Sequence, residues 1–474
     1  MRLALGVLVA IAAAAFTAAG EAQAQDLAAP RIIKVRYTPE DRAAGRYQFV
    51  PFDVPEGTTR VTFAYAYDRA AGTNVVDLGV FEPGPLDLGS RAFRGWSGGE
   101  RTTVTITGES ATPGYWPGPL PAGRWHVALG LYKVADAGVD VAVTVETETS
   151  GAAPRGPIPL PSRPREPLRR GARWYSGGLH VHTVHSDGTL TVAEISSRAR
   201  EAGLDFIAIT DHNNTAHQTE RVPDDGLLRI VGEEITTPGG HASAWGIGGA
   251  RDFIDFRVMP GDPRIDDLVK ATASRGGVFS INHPGATCSG CGWEHVVPEG
   301  VAAIEITNGS HAEMAKAIEM WDGLLKQGRR ITGVGSSDWH RGPRPVDMAS
   351  VRVWASELST SAILEGIRRG RVVVMSDGRT PPPLLVARAG RRRAGAGETL
   401  VVGKEKKLRL DVTLPVALVG GRVDLIADGE TVASRPGTTR MRFDRPARDR
   451  YLRIHVFAAD GSPRALTNPV YVDR

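Results

Sequence analysis

LHVHTVHSDGTLTVAEISSRAREAGLDFIAITDHNN, residues 179–214, carries the pattern that decides the fold. A run of β-formers ends on His180 and His182. The segment TVAEISSRAREAG then reads as a helix, opened by Thr191 and Glu194 in a capping-box pattern and stopped at Gly203. A second β run, FIAITDH, ends on Asp211 and His212. The pattern recurs downstream. Asp262-Pro263 opens a helix that ends at Gly276-Gly277 before VFSINHP, and Ser310 with Glu313 opens another that closes near Gly328 before ITGVGSSD. A last helix, TSAILEGIRRG, precedes VVVMSD. Repeated β-α-β units predict a parallel sheet over residues 171–380, with enough units for a barrel.

Outside this region the period changes to two. RVTFAYAYD, VVDLGVF, RTTVTITG, RWHVALGLY and VDVAVTVETET, separated by Gly/Pro clusters, predict a β-sandwich over 26–149. Its aromatics Tyr65, Tyr67, Trp96, Tyr115, Trp116 and Trp125 fit core positions, or a face that lines a ligand. Residues 150–170 are rich in Pro and Arg and read as a stiff linker. KLRLDVTL, GRVDLIAD, RMRFD, YLRIHVFAAD and NPVYV predict a smaller β-sandwich over 381–474. Residues 1–24 combine a short basic start, an apolar stretch and Ala22-Gln23-Ala24, the pattern of a cleaved secretory signal. No other segment approaches the roughly 18 apolar residues of a membrane span. The reading is an exported chain, periplasmic or secreted, with no membrane span after cleavage.

The 474 residues exceed one ordinary core. A composition of 41% hydrophobic and 23% charged residues is that of a globular protein. The formal charge is only +4, and no basic stripe interleaves with aromatics, so no nucleic-acid partner is expected. The two cysteines, Cys288 and Cys291 in C-S-G-C, read as a loop staple in an oxidising compartment, with free thiols as the alternative.

Ten of the twelve histidines fall between residues 180 and 340. His180, His182, Asp211, His212, His283, Asp338 and His340 sit where β runs end; Asp187 follows in the S-D-G turn, and VGEEITTPGGHASAWG adds Glu234 and His241. Imidazoles and carboxylates are the natural ligands of zinc, manganese or iron. Six separate segments deliver such groups to one rim, which points to a multinuclear metal centre. Asp211 fits better as a residue that orients a ligand histidine. His185, His217, His295 and His311 fit no motif position and read as surface or supporting residues. Arg341, beside the last ligand, fits an anion contact or an ordinary surface position.

The ordered set H-x-H with S-D-G, T-D-H, G-x-E, a later His, N-H-P and S-D-x-H resembles the PHP (polymerase and histidinol phosphatase) superfamily. More narrowly it resembles the CehA/McbA, carbaryl-hydrolase-type, branch of metallohydrolases. The resemblance implies a distorted (β/α)7 barrel between two β domains and two or three divalent ions. It further implies that His180, His182, Glu234 and Asp338 hold a first metal, Glu234, His241 and His283 a second, and Asp187, His212 and His340 a third. Glu233 is the rival to Glu234; the G-x-E spacing favours Glu234. The expected activity is hydrolysis by a metal-activated water, with Glu234, Asp338 and His340 as catalytic groups and phosphoesters or other small molecules as substrates. The alternatives are a carboxyl ester, amide or carbamate hydrolase, or a binding protein that keeps its metals without turnover. No G-x-S-x-G elbow or Walker loop competes with this chemistry.

Overall fold

The computed structural model describes residues 29–474 except 71–72, 88–90, 150–165, 250 and 309–310. The expected signal segment and most of the expected linker lie outside the described residues. The chain is mixed α/β, with many strands and few helices.

The first region builds two four-stranded antiparallel sheets. One orders Arg31–Tyr37, Val139–Glu148, Arg60–Tyr67 and Thr103–Thr107; the other orders Tyr47–Val54, Gly123–Lys133, Val75–Phe81 and Phe93–Gly98. Period-two alternation explains why they stack. Val61, Phe63, Val104, Val141 and Val143 from one sheet share an apolar cluster with Val50, Phe52, Val76, Leu78, Val127 and Leu129 from the other. Of the aromatics singled out above, Tyr65, Trp96, Tyr115, Trp116 and Trp125 are buried.

A fifteen-stranded sheet follows. Parallel pairs join Phe206–Ile209 to both Arg169–Val181 and Leu228–Thr237, and join Ala303–Thr307 to both Val278–Ile281 and Thr332–Gly335. The helices Val192–Glu201 and His311–Lys326 serve two of these crossovers, while Ile265–Ser274 links the antiparallel strands Gly240–Trp245 and Val278–Ile281. Thr191 and Glu194 form the capping box, and Gly203 has a positive φ of 85°. Arg264 stands at the N-cap of the second helix, while the Asp262 carboxylate accepts from Arg264 N–H. The expected start of the third helix at Ser310 lies outside the described residues.

Two features correct the expected (β/α)7 barrel. Leu228–Thr237 returns antiparallel as Gly240–Trp245, because two residues between strands leave room for a hairpin but not a crossover. Ser350–Leu358 likewise runs antiparallel to both Arg169–Val181 and Val372–Met375. Among the described residues no ladder closes Thr332–Gly335 onto Arg169–Val181, so the sheet curls without forming a closed barrel; a single parallel bridge, Val181 with Trp339, spans that gap. Hydrogen bonds also cross the expected boundary at residue 380, since Val372–Met375 pairs with Pro463–Thr467. Four C-terminal strands, Leu384–Ala389, Arg392–Ala394, Lys407–Thr413 and Arg440–Pro446, make a separate antiparallel sheet that packs on the long one through Leu385, Leu410, Phe443, Leu425 and Ile454. Among the described residues no helix is long and apolar enough to cross a membrane.

Candidate metal centre

His180 and His182 end the strand Arg169–Val181, two residues apart and therefore on one face. Their Nε2 atoms lie 3.0 Å from each other. Asp338 Oδ1 lies 3.1 Å from His180 Nε2 and 3.0 Å from His182 Nε2. Asp338 and His283 both sit at positive φ, 48° and 25°, an uncommon conformation for non-glycine residues that tends to concentrate at functional sites. Gly188 is required for the S-D-G turn to pack on the His182 backbone; a Cβ there would stand 2.5 Å from His182 C.

Glu234 is the hub. Its Oε1 lies 3.2 Å from His180 Nε2, 3.3 Å from His241 Nδ1 and 3.1 Å from His283 Nε2. Its Oε2 lies 2.9 Å from His212 Nδ1 and 3.4 Å from His182 Nε2. Strand alternation sends Glu233 to the opposite face, where its carboxylate accepts from Ile254 N–H and burial raises its pKa to about 8. On the outer side of the cluster Asp187 Oδ1 lies 3.3 Å from His340 Nε2 and 3.6 Å from His212 Nε2.

Each of the nine ligands expected above falls into at least one of four groups whose ligand atoms lie within 4.8 Å of one another. These are His182/Asp187/His212/His340, His180/His182/Asp338, His180/Glu234/His283 and His212/Glu234/His241. Two of the four contain Glu234, as a bridging carboxylate requires. The partition differs from the implied one. His241 groups with His212 and His283 with His180, and the His241 and His283 ring planes lie 76° apart.

The donors fit divalent cations. Buried Asp187 Oδ1 and His283 Nδ1 have no hydrogen-bond partner, an uncommon cost for a folded interior. The rings of His182 and His340 stack at 4.0 Å. Burial, then the neighbouring His340 and His212, lower the His182 pKa to about 4. Burial disfavours charge on His212 too, yet Glu234 and Asp187 raise its pKa to about 9. Burial likewise opposes charge on Glu234, but the surrounding His180, His212 and His241 hold its carboxyl well below the usual range. Nitrogen and oxygen donors without sulfur suit zinc, manganese or iron.

Supporting groups surround this set. Asp211 stands outside all four groups and accepts from Thr183 N–H, Thr183 Oγ1 and Ser186 Oγ, while Ser186 Oγ lies 3.2 Å from His182 Nδ1. His185 accepts from Gly114 N–H of the N-terminal region and lies 2.9 Å from Glu220. His217 is buried with Nδ1 3.3 Å from Asp211 Oδ2, His295 is buried against Thr237, and His311 is exposed. Arg341 donates to the Asp187 carbonyl. Sequence reasoning missed Glu305, which lies 3.3 Å from His180 Nδ1 and accepts from His283 N–H. The available signal was a carboxylate near the end of the β run VAAIEIT. Sequence reasoning also missed Asn282, whose amide donates to Glu234 Oε1 at 2.9 Å. The Cys288–Cys291 disulfide is formed, and its loop borders a cavity of about 390 Å³ that opens onto Asp187, His212 and His241.

A profile of the PHP domain family matches residues 178–231, the segment that carries His180 through Asp187, Asp211 and His212. No curated protein matches the chain. Among solved structures the chain is similar, at 19% identity and a TM-score of 0.37, to a two-domain protein from Bacteroides vulgatus containing a predicted PHP-like metal-dependent phosphoesterase; the match covers 68% of this chain and all of that one. A candidate metal-dependent phosphoesterase from Bifidobacterium adolescentis is similar at 18% identity and a TM-score of 0.27, over 36% of this chain and 90% of that one. An amidohydrolase from Chromobacterium violaceum is similar at 18% identity and a TM-score of 0.25, over 36% and 89%. Likenesses of that size leave the chemistry to this chain's own residues.

Proposed function

We propose that this chain is an exported, metal-dependent hydrolase acting on phosphoesters, and that it is of the carbaryl-hydrolase-type branch of PHP proteins. One observation carries the reading: eight histidine and carboxylate side chains from separate segments gather with Glu234 into four overlapping groups, three of whose members, Asp187, His212 and His241, reach the wall of a cavity. The PHP match over 178–231 supports it. Two or three divalent cations held there would supply Lewis acidity and an acidified water, which suits attack on phosphorus.

The residues divide the remaining work. Glu234, kept ionised by its imidazoles, ties together the two groups that contain it. Asp338 is held well below the usual carboxylate range by His180 and His182, against the opposing effect of burial. It can accept the attacking water's proton at the oxygen not shared by those rings. His340 Nδ1 lies 2.9 Å from the Asp338 carbonyl; donation there leaves Nε2 with its lone pair toward Asp187. Glu305 and Ser186 fix the far nitrogens of His180 and His182.

The test is a panel of phosphomonoesters, phosphodiesters, aryl esters and carbamates on mature protein of defined metal content. Metal-dependent cleavage of a phosphoester is the expected result. Cleavage confined to aryl esters or carbamates would move the assignment to carbon–oxygen or carbon–nitrogen bonds, and no turnover with any metal would leave a binding protein.

A further inference from the structure

The strand Val75–Phe81 carries one residue that packing does not explain. Val76, Leu78 and Val80 point between the two N-terminal sheets. The alternate positions Asp77, Gly79 and Phe81 face the other way, toward the metal-bearing region. That outer face is apolar: Phe81, Phe93, Trp96 and Ala128 share one cluster with Phe253 and Phe256. Trp96 lies across it because its neighbours lack side chains. A Cβ on Gly79 would stand 2.4 Å from Trp96 Cε3, and one on Gly130 would stand 3.0 Å from Trp96 Cη2. Phe256 meets the indole at 4.9 Å and Tyr47 at 6.1 Å between ring centroids. Asp77 breaks this face with a charge.

Its carboxylate lines the same cavity as Asp187, His212 and His241. Among the described residues it has neither a hydrogen-bond nor an ion-pair partner within 4.0 Å. Burial raises its pKa to about 7, and Arg46 and His212, the charges that act on it, do not close an ion pair with it. Arg46 instead lies over the Tyr132 ring, 5.6 Å from its centroid, and Tyr132 Oη donates to the Ser289 carbonyl in the disulfide loop. Asp77 is half-buried and faces the cavity, so a ligand that displaces water from its carboxylate must supply a donor in its place. The cavity's size is that of small-molecule sites, and its aromatic wall offers a flat surface to a ring.

We propose that Asp77 is a specificity-determining residue: its carboxylate receives an ammonium or hydroxyl donor on the organic group of a substrate whose ester is held at the histidine cluster. The N-terminal sheets are then one half of the substrate site. This assignment rests on the hydrolase reading for where the ester sits, and its test is a binding measurement that does not require turnover.

The experiment is calorimetric titration of the full metal-loaded chain with three non-hydrolysable probes of one shape. These are 4-(aminomethyl)phenylphosphonate, 4-(hydroxymethyl)phenylphosphonate and 4-methylphenylphosphonate. Either donor probe should bind about tenfold or more tightly than the methyl probe, the size of one hydrogen bond to a buried charge. The stronger of the two donors identifies the group that Asp77 reads. Asp77→Leu should bring both donor probes to the methyl probe's affinity, and Asp77→Asn should remove the ammonium preference alone, with metal content unchanged in both variants. Equal affinity of all three probes for the wild type, or a donor preference that survives Asp77→Leu, would overturn the proposal. So would tighter binding of 4-carboxyphenylphosphonate, which would assign the recognition to Arg46. If the donor preference holds but the matching phosphate esters are not cleaved, the hydrolase reading fails while the Asp77 site stands.

Discussion

The space between the two N-terminal sheets and the rim at His180 are both buried, yet opposite forces hold them. Between the sheets, Val61, Phe63, Leu78, Trp125 and Leu129 exclude water and match one another in shape, so the region is stable from its own side chains. At the rim, His180, His182 and Glu234 are equally buried, and their charges must be satisfied by one another or by something bound. Asp187 Oδ1 and His283 Nδ1, buried without a hydrogen bond, show that mutual satisfaction is incomplete. One region needs only its sequence. The other leaves donors that cations would complete.

That contrast can be broken in several ways. The largest expected effect is on the rim: replacing His180 and His182 together with Ala should lower kcat/KM by about 10³-fold or more, read with the best phosphoester of the substrate panel. Trp125→Ala makes the opposite cut. It removes a fully buried ring and should cost about 3–5 kcal/mol in urea unfolding. Bound metal should stay unchanged, which separates the two regions.

The third effect concerns pH. In metal-free protein the folded His212 pKa of about 9 exceeds its ordinary 6.5. Its contribution is therefore complete below about pH 6.5 and is lost as pH rises through 9, worth at most about 3 kcal/mol. His182, lowered to about 4, acts in the other direction and removes stability as pH falls below 6.5. Thermal melts of metal-free protein should thus fall between pH 7 and 9, and the fall should vanish once cations hold the imidazoles neutral. A decline of equal size in loaded protein would contradict the account. The smallest effect is Glu305→Gln, which loosens His180 from behind and should weaken metal affinity about 10–100-fold, measured by competition with a chelator.

Much of the rim was legible because its signals are local. H-x-H, T-D-H and S-D-x-H each place a candidate ligand at the end of a β run, and the G-x-E spacing chose Glu234 over Glu233, which the structure turns to the opposite face. Glu305 escaped because it lies inside the run AIEIT and acts through His180 and the His283 backbone, contacts made only on folding. The antiparallel returns escaped for a related reason. TTPGGH marks a turn, but which strand it returns to depends on pairing across the sheet. Asp77 was silent in VVDLGVF, since one acid in an alternating strand ordinarily faces water; only docking of the sheet turns it toward His212. The partition of the ligands also depends on ring orientations, such as the perpendicular His241 and His283, that no spacing encodes.

The central claim is that Glu234 unites separate groups of ligands around more than one cation. Elemental analysis of metal-loaded, extensively dialysed protein, wild type beside Glu234→Gln, tests it most directly. The account predicts two or three equivalents per chain in the wild type and one or none in the variant; fewer than two in the wild type, or an unchanged count in Glu234→Gln, would contradict it.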